Sequence, residues 1–319
     1  MKSLYSIVML GTMIIPRVAL SESVELASAL QNARQNCGGI SELMSDLKTK
    51  AGINTAITGA GTVAGGVALG TGIAKAGIDS DITKLEQQLM EMLRNKSQTS
   101  ATTVMQTITY TKQDIQNLLA SISDEQVKTA QEATIKKLEE LTTQSKTLGN
   151  VRTGTMAAST VTNIAGAAIA GTNVVDEDLS ARIGACLGSV KNLQNAKMQA
   201  HIEGSATAEE IAHADNIISA CEQWSTVDLS PINKRATGAA VSSGIGAGFG
   251  LIGTITSGVA NSDKVRSGDA QKEKNLNTVS NVMAGTTAAA SLTSTIFNAT
   301  QISAIKRAAT VADECEGAL

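Results

Sequence analysis

Across 80–148 the apolar positions recur every three or four residues. Ile82, Leu85, Leu89 and Met92 are spaced 3-4-3, and Val104, Ile108, Thr111, Ile115, Leu118 and Ile122 follow at 4-3-4-3-4. This spacing keeps one face of a helix apolar and predicts coiled-coil seams, folded as an antiparallel hairpin or extended as a rod. Leu138 and Leu141 continue the pattern beyond SISDEQ, where Ser123 can cap a new helix. A second hairpin is predicted over 180–224, turning near Glu203, Gly204 and Ser205. Its return helix starts with Thr207 and Glu210 in capping-box spacing.

Between these amphipathic segments lie four stretches without any charge, 51–74, 153–175, 236–262 and 275–305. The first holds 17 Gly, Ala, Ser or Thr among its 24 residues. On a helix, Gly61, Gly65 and Gly72 share one narrow face, and Gly59, Gly66 and Gly70 share another. Gly244 with Gly248 and Gly246 with Gly250 repeat the four-residue spacing in the third stretch. This resembles the glycine-zipper pattern, a motif that lets helix backbones approach closely. Seven glycines in one helix each cost about 1 kcal/mol relative to Ala, so close packing or a bilayer must restore that free energy. Length permits membrane spans, since each stretch exceeds about 20 residues. Against spans stand few Leu and Ile, many Thr and Ser, and Asn54, Asn163 and Asn298 within the stretches.

The chain also resembles itself. A shift of 184 residues brings Cys37 onto Cys221 and Gly66 onto Gly250, and a shift of 131 brings NVRTGTMAA at 150–158 onto NVMAGTTAA at 281–289. The reading is two imperfect internal copies, 22–204 and 205–319, the first carrying a long coiled-coil connector at 80–148. The expected fold is all-α: an elongated helical bundle with coiled-coil hairpins and close-packed Gly/Ala/Thr-rich helices.

The N-terminus sets the compartment. Lys2, an apolar run at 4–15 and small residues at Ala19 and Ser21 read as a signal peptide, 1–21, cleaved near Ser21. Loss of Lys2 and Arg17 leaves 24 basic residues against 29 acidic ones, a balance that excludes nucleic acid as a partner. All four cysteines remain, an even number that predicts two disulfides in an exported chain. Cys186 and Cys221 stand 18 and 17 residues either side of the predicted turn, which favours a Cys186–Cys221 bond with Cys37–Cys315. The rival plan, Cys37–Cys186 with Cys221–Cys315, closes each copy on itself.

Chemistry-bearing patterns are sparse. The formal GxGxxG from Gly248 to Gly253 lacks the preceding strand that dinucleotide binding requires. His201, Glu209, Glu210, His213 and Asp215 read as a solvated helix end. No enzyme activity, cofactor or metal is expected. The predicted protein is an exported, non-enzymatic helical structural or interaction protein of the periplasm or cell surface, stapled by disulfides, with protein partners or self-association. The alternative is a membrane-inserting or pore-forming protein that uses its Gly-rich segments as helical hairpins.

Overall fold

The computed structural model describes residues 24–96, 125–268 and 270–319. The signal peptide and the predicted seam from Val104 to Ile122 lie outside the described residues. Among the described residues every regular element is helical, as an all-α chain requires. In chain order these are α1 (Val24–Cys37), α2 (Ile40–Lys96), α3 (Glu125–Thr172), α4 (Glu177–Glu203), α5 (Ala208–Glu222), a 3-10 turn (Gln223–Thr226), α6 (Ser230–Ala260), α7 (Asp263–Gly268) and α8 (Ala270–Ala318). Helix ends follow local chemistry. Gly39 separates α1 from α2 at φ 82°, and Gly204 ends α4 at φ 62°, a region costly for any residue with a Cβ. Asp176 caps α4, Thr207 and Glu210 form the expected capping box on α5, and Pro231 sits in the first turn of α6, where a missing N–H costs nothing.

The chain forms two compact units. The first comprises the chain up to Met44, Asp176–Val227 and Ala308–Leu319. It has an ordinary apolar core. Leu26, Ala29, Ala33 and Cys37 of α1 are buried, as are Leu179, Ile183, Cys186, Val190 and Leu193 of α4, Ile217, Ile218 and Cys221 of α5, and Trp224. Apolar side chains at helical spacing turn inward here because burying them removes them from water.

The disulfides correct the favoured pairing. Cys37 bonds Cys186 and Cys221 bonds Cys315, the rival of the two pairings. Equal distance from a hairpin turn fixes the height of Cys186 and Cys221 but not the direction in which each points. Four helices meet at that height, and the sulfurs of Cys37, Cys221 and Cys315 all lie within 4.8 Å of one another. Each half of the hairpin therefore bonds a flanking helix instead of its own partner.

The second unit comprises Ser45–Val175 and Asp228–Arg307. It packs long stretches of α2, α3, α6 and α8 side by side. Buried positions run 51, 54, 58, 61, 65, 68, 72 and 75 along α2, and 145, 149, 152, 156, 159, 163, 166 and 170 along α3. They run 236, 239, 243, 246, 250, 253, 257 and 260 along α6, and from 277 through 280, 284, 287, 291, 294, 298 and 301 along α8. All four alternate steps of three and four, the 3.5-residue period of helices that stay in contact over many turns.

Candidate functional site

What fills these seams distinguishes the second unit. Within its charge-free stretch and at Lys75, the buried positions of α2 are Ala51, Asn54, Thr58, Gly61, Gly65, Ala68, Gly72 and Lys75. Of the nineteen polar or charged residues buried among the described residues, all but Ser189 lie in this unit. Polar groups taken out of water must find partners, and several here find them across helices. Asn54 Nδ2 donates to Asn298 Oδ1 at 3.0 Å, joining α2 to α8. Asn163 Nδ2 donates to Ser291 Oγ at 2.8 Å, joining α3 to α8. Ser159 Oγ donates to the carbonyl of Gly61 at 2.9 Å, and Ser280 Oγ to that of Gly253 at 3.1 Å. Gln301 Nε2 donates to the carbonyl of Asn173 at 2.8 Å, at the end where α3 stops.

The outside is the complement. Of twenty large hydrophobic side chains exposed among the described residues, all but Val24, Met198 and Ile202 belong to the second unit. Val63 and Val67 of α2, Val161 and Ile164 of α3, Ile252 and Ile255 of α6, and Leu292 and Ile296 of α8 face outward from the charge-free stretches. Asn54, Asn163 and Asn298, which weigh against membrane spans when read from sequence, point into the core.

Half of the predicted packing glycines have close neighbours where a Cβ would stand. An added Cβ at Gly65 would lie 3.1 Å from the Cα of Ala288, at Gly61 2.6 Å from Thr162 Oγ1, and at Gly246 2.9 Å from Asn163. Gly250 meets Thr160, and Gly72 meets Asn281. At Gly59, Gly66, Gly70, Gly244 and Gly248 nothing lies within 4 Å of where a Cβ would stand. Two glycine faces on one helix cannot both meet the same core, and in α2 and α6 one of them turns outward.

At one end of the charge-free stretches the core becomes ionic. Lys75, 1% exposed, donates to Asp79 at 2.6 Å and Glu273 at 2.8 Å. Arg152, fully buried, gives Nη1 to Asn277 Oδ1 and Nη2 to its carbonyl, while its Nε has no partner. Beside this group opens a cavity of about 850 Å³, whose wall includes Asp79, Lys146, Arg266, Glu273 and Asn277. Sequence reasoning passed over Lys75 and Arg152 because each merely marks the end of a charge-free run.

Three members of the histidine cluster have side-chain partners. Glu210 accepts from the Thr207 backbone N–H, which holds its carboxyl below the usual range. Asp215 pairs with Lys197, and His213 contacts Arg34. Gly248, Gly250 and Gly253 lie within α6. Comparison of the chain with protein-family models, curated proteins and solved structures gives no match.

Proposed function

We propose that this is an exported, non-enzymatic, membrane-inserting protein whose second unit is a four-helix bundle surrounded by lipid. The observation that carries this reading is the inverted distribution of its side chains: hydrogen-bonded Asn, Ser, Thr and Gln inside, Val, Ile and Leu outside. In water that arrangement leaves apolar surface unburied, and in a bilayer it leaves none of the cost. Two stretches, Val24–Gln88 and Ser230–Ala260, are long and apolar enough to cross a membrane, and only 28% of the most apolar window of each is buried. A core helix of a soluble protein would bury most of that window. The shortest charge-free run within a helix, residues 153–172, is about 30 Å long at 1.5 Å per residue, matching a hydrocarbon layer of about 30 Å.

Parity supports four spans. Cys37 precedes the first charge-free stretch, Cys186 and Cys221 lie between the second and third, and Cys315 follows the fourth. Four crossings return all of them to one side, as the bonds Cys37–Cys186 and Cys221–Cys315 require. Export by residues 1–21 makes that side an oxidising one.

The buried seams also bear on duplication. Those of α2 and α6 coincide at a shift of 185, with Gly61 on Gly246 and Gly65 on Gly250. A shift of 184 aligns the cysteines, so one extra residue between Cys221 and the seam of α6 accounts for the difference.

A second reading, a soluble exported interaction protein, rests on α3 and α8, which fall short of α2 and α6 as membrane spans by composition. A lipid-soluble photolabel applied to the vesicle-bound chain separates the two. Labelling of Val63, Val161, Ile252 and Leu292 in preference to the helix faces carrying Asn54 and Asn163 is expected. Uniform or absent labelling of these four would overturn the membrane reading.

A further inference from the structure

The ionic end of the second unit has an imbalance that points to a ligand. Three of the four carboxylates in the cavity wall are already engaged. Asp79 and Glu273 both accept from Lys75, and Asp263 accepts from Lys146 at 3.3 Å. Glu86 is the fourth. Of the wall cations, Arg266 and Lys274 are the ones not paired with a carboxylate among the described residues. Arg266 spends Nη2 on the carbonyl of Thr142 and on Ser145 Oγ, each at 3.4 Å, while its Nη1 is buried with no partner. Lys84 also lines the wall but pairs with Asp81 at 3.3 Å, while Lys274 lines it too, and the buried Arg152, which bonds the wall residue Asn277, keeps an unpartnered Nε. A buried guanidinium N–H without an acceptor is a costly group, and its natural complement is a charged oxygen.

We propose that this cavity binds a phosphate group, with the Arg266 guanidinium donating to one phosphate oxygen and Lys274 neutralising the remaining charge. Planar N–H donors beside ammonium groups suit a tetrahedral oxyanion with several acceptors. Two sources supply that chemistry, a phospholipid headgroup or a free phosphate. Only the choice of a headgroup rests on the membrane reading: the cavity stands where the charge-free stretches end at Lys75 and Arg152, the depth at which lipid phosphates would lie.

The test uses the full chain in non-ionic maltoside micelles, with two probes. Phosphatidylglycerol is titrated into the micelles and counted by native mass spectrometry, and inorganic phosphate is titrated calorimetrically. One phosphatidylglycerol per chain, weakened at least tenfold by R266Q and severalfold by K274Q but unchanged by K48Q, assigns the site to a headgroup. Binding of inorganic phosphate with the same ranking of variants supports the site with a free ligand, even for a chain that does not enter vesicles. Should R266Q fail to fold, K274Q carries the comparison. Binding of neither probe, or equal binding by wild type, R266Q and K274Q, overturns the proposal.

Discussion

At the scale of single residues, the second unit depends on side chains that a soluble core would exclude. Gly65 meets the backbone of Ala288, so Gly65→Leu has nowhere to go and is expected to cost about 1–3 kcal/mol. Gly66 stands one residue along and faces open space, so Gly66→Ala is expected to stabilise by about 1 kcal/mol. Thermal unfolding of both variants by circular dichroism checks the pair, and equal effects would contradict the inside–outside assignment. Asn163→Leu removes the donor to Ser291 Oγ and to the Ser159 carbonyl, leaving Ser291 its bond to the Thr287 carbonyl, an expected loss of about 1–3 kcal/mol although the segment becomes more apolar. In the first unit, Glu210 titrates below the ordinary glutamate range because the Thr207 backbone and hydroxyl bind its carboxylate. Its stabilising contribution is therefore present above the unfolded value and lost as pH falls through the folded one. The acid limb of the stability profile is expected to lose that component in Glu210→Gln.

At the scale of elements, the sequence was legible where helices follow the ordinary rules and misleading where they invert them. The capping box at Thr207, the turn at Gly204 and the return helix to Cys221 follow from local chemistry and appear as expected. In the charge-free helices the signal is hidden. Apolar periodicity marks the buried face only when the buried face is apolar. Along α2 the seam is Ala, Asn, Thr and Gly, while Val63, Val67 and Ile73 mark the outer surface. Gly61, Gly65 and Gly72 were recognisable as a face, yet nothing in the sequence separated them from Gly59, Gly66 and Gly70. The disulfide pairing was equally hidden, because spacing in one hairpin carries no information about α1 and α8 standing beside it. Peptide mapping without reduction is expected to recover Cys37–Cys186 and Cys221–Cys315. Replacing Cys221 and Cys315 together by Ser should lower stability by about 2–5 kcal/mol.

At the scale of the whole molecule, one chain holds two kinds of interior. The first unit buries Leu, Ile and Trp and is held by two disulfides. The second buries a hydrogen-bonded polar ladder and an ion-paired Lys75. On the membrane reading proposed above, its stability comes from an apolar solvent, close backbone packing and hydrogen bonds between helices acting together. Lys75→Met leaves Asp79 and Glu273 without their shared cation, and a loss of about 3 kcal/mol is expected. Most direct for the membrane claim is flotation of the mature chain with phosphatidylethanolamine–phosphatidylglycerol vesicles, without detergent and at high salt. The expected result is a chain that rises with the lipid and stays with it through alkaline carbonate washing. A monodisperse chain that remains at the bottom of the gradient would contradict the account.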